Sequence, residues 1–150
     1  MKISLASDHA GFDQKRALAC FLEEVLGHEI IDRGPATEDR VDYPDFAVKV
    51  AHDVAEGKAD RGVLVCGTGI GMALAADKVA GCRAANIITP EFAALCRQHN
   101  DANIITLSGR FVDQPTNEDI LRAFLTTPFE GGRHTGRVEK IMALDTVARP

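Results

Sequence analysis

Short apolar runs alternate along the chain with longer segments whose apolar residues recur every three or four positions. The short runs predict β-strands at residues 2–7, 29–32, 62–66, 83–88 and 104–108. The longer segments predict helices at residues 12–26, 42–56, 72–79, 90–100, 115–125 and 138–144. Strands that alternate with helices indicate parallel strands joined by right-handed crossovers. We therefore predict an α/β fold built on one parallel sheet.

One stretch is rich in glycine at the point where a predicted strand gives way to a helix. The apolar run 62–66 ends at Cys66, and alternate glycines follow at Gly67, Gly69 and Gly71. Glycine lets the backbone turn sharply and lets its N–H groups approach a ligand, because no Cβ stands in the way. A thiol beside such donors should ionise more readily than a free cysteine. The stretch thus predicts an activated cysteine facing backbone donors, although a simple turn beside a buried, inert cysteine also fits.

Polar residues follow three of the predicted strands. Asp8 and His9 come after the first strand, Cys66 ends the third, and Ser108–Arg110 come at the end of the fifth. Asp8 could equally cap the next helix, and His9 could be a surface residue. Because ligands bind at the carboxyl ends of parallel strands, we expect these groups to converge on one site.

Two arginines near the end of the chain suggest a phosphate site. Arg133 and Arg137 are four positions apart, so they would be neighbours on a helix. Paired guanidinium groups suit a phosphate dianion, and Arg110 could add a third cation. The alternative is two solvated arginines on a terminal helix. His99 and Asn100 lie at a predicted helix end, where such residues also serve as ordinary end residues.

Composition narrows the class of protein. The 150 residues, of which 45% are hydrophobic, contain no linker or repeat, so we expect a single domain spanning residues 1–150. The net charge of −5 and the lack of a Lys/Arg block argue against nucleic acid or membrane partners. No apolar run has membrane-spanning length, and Met1 leads directly into a strand, so we expect no signal peptide. The four cysteines form no C-x-x-C pair, which suits reduced thiols in a cytoplasmic protein.

Several known phosphate, nucleotide and metal sites do not fit. The chain has no Walker-type G-x-x-x-x-G-K-[ST] motif, and Met72 stands where a dinucleotide fingerprint requires glycine. No arginine closes the turn after Cys66, as a cysteine phosphatase loop would need. A zinc site made of Cys66, His9 and His99 is conceivable but matches no zinc spacing, so we predict no metal.

Five spaced motifs together carry a resemblance to a known family. They are Ser7–Gly11, Asp42–Pro44, Cys66–Gly71, Arg97–Asp101 and Glu130–His134, in this order over nearly the whole chain. The sequence closely resembles the sugar-phosphate isomerase family, which includes type B ribose-5-phosphate isomerases and allose- and galactose-6-phosphate isomerases. The resemblance implies a Rossmann-like three-layer sandwich with a five-stranded parallel sheet and helices on both faces. It also implies a homodimer or a tetramer, and no metal or cofactor.

The resemblance also assigns roles to individual residues. It implies that Cys66 is the base that moves a proton between C2 and C1, and that Thr68 exchanges protons at the sugar oxygens. Asp8 and His99 match residues linked to ring opening. The other matches are the enediolate-binding amides from Gly67 to Gly71, including Gly69 and Ile70; the phosphate ligands His9, Arg110, Arg133 and Arg137; and the site-lining residues Asn100 and Tyr43.

The resemblance further implies that His99, Asn100 and Arg110 come from a partner subunit, which leaves the pair Arg133 and Arg137 beside the cysteine of their own chain. One branch of the family has a glutamate after the third glycine. Met72 stands there, so the chain resembles the branch that uses cysteine.

The expected activity is interconversion of D-ribose 5-phosphate and D-ribulose 5-phosphate through an enediolate. Such chemistry needs a base that reaches two carbons and preorganised donors where negative charge develops. Another phosphorylated sugar, of four or six carbons, is an open alternative, because sequence does not give the depth of the pocket. A non-catalytic module that binds sugar phosphates is a second alternative.

Overall fold

The computed structural model describes residues 1–146; residues 147–150 lie outside the described part. Its strands are β1 (Lys2–Ser7), β2 (Glu29–Asp32), β3 (Arg61–Cys66), β4 (Ala84–Asn86) and β5 (Ile104–Ser108). Its α-helices are α1 (Phe12–Cys20), α2 (Tyr43–Ala55), α3 (Ile70–Ala76), α4 (Pro90–Asn100), α5 (Gln114–Thr126) and α6 (Thr135–Ala143). A π-type turn, Phe21–Val25, extends α1, and 3-10 turns occupy His9–Gly11, Gly132–His134 and Leu144–Thr146. Among residues 1–146, no helix has both the length and the apolar character needed to cross a membrane.

The strands form one parallel sheet in the order β2-β1-β3-β5-β4. Ser7 of β1 pairs with Val65 of β3, and Cys66 of β3 pairs with Ser108 of β5. The connections after β1 and β3 leave toward opposite sides of the sheet, so their carboxyl ends flank a crevice of the kind that binds ligands. The predicted α/β fold and five-stranded parallel sheet are confirmed.

Two apolar cores cover the two faces of the sheet. On one face, residues of β1, β3 and β5 pack against α1, α4 and α5, with Leu18 and Phe124 fully buried. On the other face, α2 and α3 pack through Val50 and Met72. Cys66 belongs to this second core at its outer end. The three-layer sandwich therefore places the cysteine where a buried strand opens onto the crevice.

Several elements differ from the predicted bounds: α1 ends at Cys20 and continues as the π-type turn, and α6 begins at Thr135. Two further differences have local reasons. Helix α3 starts at Ile70 rather than Met72, because Gly69 adopts φ +83° and completes the turn. It ends at Ala76, and the Asp77 carboxylate then accepts the backbone N–H of Ala84 at 2.7 Å. The strand β4 covers only Ala84–Asn86, shorter than the predicted 83–88.

A buried carboxylate of α2, Asp53, binds a hydroxyl of β1 and an arginine that follows β2. Both oxygens of Asp53 bind the Arg33 guanidinium at 2.6 Å, and the Ser4 hydroxyl donates to Asp53 at 2.7 Å. These hydrogen bonds, first of all those from Arg33, hold the pKa of Asp53 below its ordinary value. Because the folded carboxyl binds its proton more weakly than the unfolded one, this stabilisation is present at neutral pH and is lost as the pH falls through that lowered pKa.

We expect Asp53→Asn to lower the free energy of unfolding at pH 7 by about 1–2 kcal/mol, because the neutral amide cannot accept both guanidinium bonds and water screens the half-exposed Arg33. At pH 3 and below the difference from the native chain should shrink. Urea denaturation at both pH values measures it, and Glu56→Gln, which removes an exposed pairing with Lys58 at 2.6 Å, serves as the surface control. An equal loss at both pH values would contradict the assignment.

Candidate active site

The sulfur of Cys66 lies at the mouth of the crevice and accepts a hydrogen bond from the backbone. Gly69 donates its N–H to Cys66 Sγ at 3.1 Å, inside the turn that joins β3 to α3. The side chain is 5% exposed, so it borders the core but is not sealed within it. The sulfur thus faces a preorganised backbone donor at the edge of the crevice.

The rest of the glycine loop, residues Gly67–Gly71, is bordered by side chains of the same chain. A Cβ at Gly71 would lie 2.7 Å from the ring of Tyr43, so that ring rests directly on the loop. A Cβ at Gly67 would lie 3.5 Å from Cδ of Arg110, whose backbone N–H also donates to the Gly67 carbonyl at 3.3 Å. The exposed Thr68 hydroxyl accepts the Ile70 N–H at 3.3 Å. The loop thus has an aromatic ring at one end and a guanidinium at the other.

Asp8 and His9 border the same crevice from the end of β1. One carboxylate oxygen of Asp8 accepts the N–H groups of Ala10 and Gly11, at 2.9 and 3.0 Å, so Asp8 does cap the following turn. His9 accepts the Val41 N–H on Nδ1 at 3.5 Å. That contact assigns the proton of the neutral ring to Nε2, which leaves a donor available to an anion.

A second polar cluster surrounds the carboxyl end of α4. The rings of His99 and His134 stack with centroids 4.3 Å apart, and a Glu130 oxygen lies 3.9 and 3.7 Å from their Nε2 atoms. Arg133 donates from Nε to His134 Nε2 at 3.3 Å, and Arg137 follows about one turn later. Burial lowers the pKa of His134, and the neighbouring His99 and Arg133 lower it further, so His134 is neutral at pH 7.

The ring stacking makes this cluster a poor metal centre. Ligand atoms of His99, Glu130 and His134 lie within 4.8 Å of one another, which is close enough for a shared ion. However, the two ring planes differ by only 13°, and imidazole lone pairs lie in the ring plane. Nearly parallel planes direct the two lone pairs side by side rather than toward one point, whereas zinc needs convergent ligands.

The two clusters lie at opposite edges of the sheet. A crossover helix runs antiparallel to its strands, so the carboxyl end of α4 lies at the amino edge, where Asp101 contacts Arg83 just before β4. Glu130 joins that edge by donating its N–H to the Gln98 carbonyl at 3.1 Å. A five-residue strand such as β5 spans roughly 16 Å, and this is the order of the separation from Cys66.

This geometry corrects two expectations about which chain supplies which side chain. Arg110 lies against Gly67 of its own chain, because β5 is the direct neighbour of β3; it needs no partner to reach the loop. Arg133 and Arg137 do not lie beside the cysteine of their own chain, because α4 and the segment after Thr126 carry them to the other edge together with His99 and Asn100.

Sequence reasoning passed over some residues that the structure places at these clusters. Glu130 and His134 occurred in a quoted motif, but no signal indicated that His134 is buried and stacked on His99. Asn86, at the end of β4, had no role, yet its carboxamide lies beside Thr68 and Gly69. The one available sign was a polar residue inside the predicted strand 83–88.

Comparison with known proteins decides the family. The model of the ribose/galactose isomerase family matches residues 3–141. A ribose-5-phosphate isomerase B of Escherichia coli is 44% identical over 144 residues, which cover 96% of each chain. This chain belongs to the ribose/galactose isomerase family. The chain is therefore a sugar-phosphate isomerase, and the family predicted from the five motifs is confirmed.

Solved structures of the family share the whole fold. The ribose-5-phosphate isomerase B of Clostridium thermocellum is 46% identical and superposes with a TM-score of 0.95 over 97% of both chains. The Mycoplasma genitalium enzyme, solved with bound ribulose-5-phosphate, is 42% identical, with a TM-score of 0.94 over 98% of this chain and 97% of that one. The glycine loop and its neighbours thus belong to a fold that, in the Mycoplasma genitalium enzyme, binds ribulose-5-phosphate.

Proposed function

We propose that this protein interconverts D-ribose 5-phosphate and D-ribulose 5-phosphate, with Cys66 as the base. The observation that carries the proposal is the sulfur at the carboxyl edge of the sheet, 3.1 Å from a donating backbone amide of the glycine loop. The names of the Escherichia coli and Clostridium thermocellum relatives, and the ketose phosphate in the Mycoplasma genitalium structure, support the choice of substrate.

The chemistry requires one base that serves two adjacent carbons. In the aldose-to-ketose direction the thiolate removes the proton from C2, negative charge moves to the oxygen on C1, and the proton returns to C1. Aldose and ketose have the same composition, so the net reaction needs no oxidant or reductant. The amides of Gly67 and Gly71 are the donors for the charge on oxygen, while the N–H groups of Gly69 and Ile70 face Cys66 Sγ and the Thr68 hydroxyl and so border the same site. The Thr68 hydroxyl can pass protons between O1 and O2.

Ring opening and phosphate binding use the remaining side chains. We assign the ring-opening proton transfers to Asp8 and His99, and the phosphate to His9, Arg110, Arg133 and Arg137. Tyr43 and Asn100 complete the walls around the sugar. Holding the phosphate far from C1 lets binding energy orient the sugar without contributing to the bond changes.

We further propose that each site is completed by a second copy of the chain. His99, Asn100, Arg133 and Arg137 lie at the amino edge of the sheet and so must reach the cysteine of another protomer. An exposed apolar face around the edge strand β4 offers the contact; its side chains are Ile70 (54% exposed), Leu74 (62%), Ile88 (54%), Phe92 (56%) and Leu95 (38%). Apolar patches of this kind mark interfaces.

The direction of this face explains how two copies would meet. It runs from Ile70 and Phe92 at the carboxyl edge toward Leu95, one turn before the end of α4. A two-fold axis through its middle would place the glycine loop of one copy against the His99 cluster of the other. We propose a homodimer as the smallest active unit, with a tetramer as a pair of such dimers.

Assays with phosphorylated aldoses of four, five and six carbons test the substrate. We expect kcat/KM for ribose 5-phosphate to exceed that for allose 6-phosphate, galactose 6-phosphate and erythrose 4-phosphate. A higher kcat/KM for one of the other sugars would support the same isomerase reaction on a different substrate. If the protein binds ribose 5-phosphate but converts none of these sugars, it is a non-catalytic binding module.

The free thiols support a cellular location. Cys20, Cys66, Cys82 and Cys96 are all free, and unpaired cysteines are typical of proteins in a reducing compartment. We therefore propose that the enzyme works in the cytoplasm, where free thiols persist. Fractionation of the producing cells would check this location.

A further inference from the structure

One peptide group of the glycine loop is held on both of its sides. Its N–H, from Gly69, donates to Cys66 Sγ at 3.1 Å. Its C=O, from Thr68, lies 3.2 Å from the carboxamide of Asn86. Since the C=O and N–H of a trans peptide point in opposite directions, this single group connects Asn86 to the sulfur.

The neighbours of Asn86 determine which way its carboxamide faces. The carbonyl oxygens of Thr68 and Thr106 and the Thr106 hydroxyl all lie 3.2 Å from the same terminal atom. Carbonyl oxygens only accept, so the amide nitrogen faces them and its two hydrogens can bind both carbonyls. Asn86 is the last residue of β4 and pairs with Thr106 of β5, which fixes its backbone beside the loop.

The loop is shaped to admit this side chain. Gly69 has φ +83°, and a Cβ there would overlap the Asn86 carboxamide. The absence of a side chain at Gly69 therefore serves two purposes: it allows the left-handed turn, and it leaves room for the amide that binds the preceding carbonyl.

We propose that Asn86 is a positioning residue for the isomerase reaction: it fixes the Thr68–Gly69 peptide so that the Gly69 N–H points at the sulfur of Cys66. The inference rests on the proposed function, in which that sulfur is the base. If the peptide turned over, its carbonyl oxygen would face the sulfur and repel negative charge on it. Hydrogen bonds in a chain also polarise one another, so the amide of Asn86 strengthens the N–H donor beyond it.

Two variants separate this role from simple support of β4. Asn86→Leu keeps the size of the side chain and removes the donor, and Asn86→Asp places a carboxylate against the Thr68 carbonyl. We expect the rate of Cys66 alkylation by iodoacetamide near pH 7 to fall about three- to tenfold in the leucine variant, and further in the aspartate variant. The kcat should fall in parallel, with KM changed less than twofold.

The pH profile of alkylation is the deciding measurement. Its plateau at high pH reports access of the reagent to the sulfur, and its midpoint reports ionisation. We expect the midpoint to move to higher pH with the plateau unchanged, whereas a loosened loop would change the plateau. Peptide mass spectrometry resolves Cys66 from the exposed Cys20, and burial raises the pKa of Cys82 and Cys96 to about 11, so these two react slowly.

Thr106→Val is the matched control, because it removes a hydroxyl beside Asn86 but leaves the Thr68 contact in place; its profile should match the native one. Native midpoints in both Asn86 variants would overturn the proposal. This outcome differs from failure of the proposed function, which would show as near-native turnover after Cys66→Ala whatever the Asn86 variants do.

Discussion

Replacing Cys66 by alanine is expected to lower kcat by about a thousandfold or more, because the base that moves the proton between C1 and C2 is lost. The substrate should still bind, since the phosphate and the hydroxyl groups are held by other residues. Steady-state assays in both directions give kcat, and calorimetric titration of ribose 5-phosphate into the inactive variant gives the dissociation constant.

Cys66→Ser is the control for shape, because it keeps a small polar group at the end of β3 but replaces the thiol by a much weaker acid. We expect it to be nearly as inactive as the alanine variant. Exchange of solvent deuterium into the C1 position of ribulose 5-phosphate follows the base alone and should vanish in both variants. Exchange at native rates in either one would assign the proton transfer to another group.

Replacing Arg137 by alanine is expected to raise KM by about tenfold or more with a smaller change in kcat. A guanidinium that contacts a phosphate dianion contributes a charge-assisted hydrogen bond, and its loss weakens binding by this order. Inorganic phosphate should inhibit the native enzyme competitively and the variant more weakly, because the two anions compete for one site.

Arg122→Ala is the matched control for Arg137, since Arg122 is an exposed arginine on α5 whose guanidinium lies 5.3 Å from the Phe21 ring. It should leave KM and phosphate inhibition unchanged. An unchanged KM in the Arg137 variant would remove Arg137 from the phosphate ligands and leave that role to His9, Arg110 and Arg133.

The local half of the site was predictable from sequence because its signals lie close together in the chain. The apolar run ending at Cys66, the alternate glycines and the helix after them define a strand, a turn and a ligand-facing loop without knowledge of other elements. Residues after β1 and β5 could be added because parallel strands end at a common edge. Asp8 shows the limit of this reasoning, since the same position both caps a turn and borders the crevice.

The division of the site between chains was not predictable in the same way. Whether Arg110 belongs to its own loop depends on the sheet order, in which β5 lies between β3 and β4. The position of Arg133 and Arg137 depends on the path by which the segment after α5 returns to the end of α4. No local sequence pattern predicts that path. Asn86 was missed for a related reason. Its partner is the backbone carbonyl of Thr68, and because every residue has a backbone carbonyl, the sequence does not indicate which one a side chain will bind.

Subunit complementation tests the central claim most directly, because that claim joins Cys66 of one chain to the arginines of another. Cys66→Ala is mixed with an Arg133→Ala/Arg137→Ala double variant under conditions that exchange protomers, and activity is measured at substrate concentrations well below the KM of the double variant. After random exchange in an equal mixture, half of all dimers contain one protomer of each variant. In each of these hybrid dimers one of the two sites is intact. We predict recovery of about a quarter of native activity. Activity no greater than the sum of the two separate parents, in mixtures shown to contain hybrid dimers, would contradict the account.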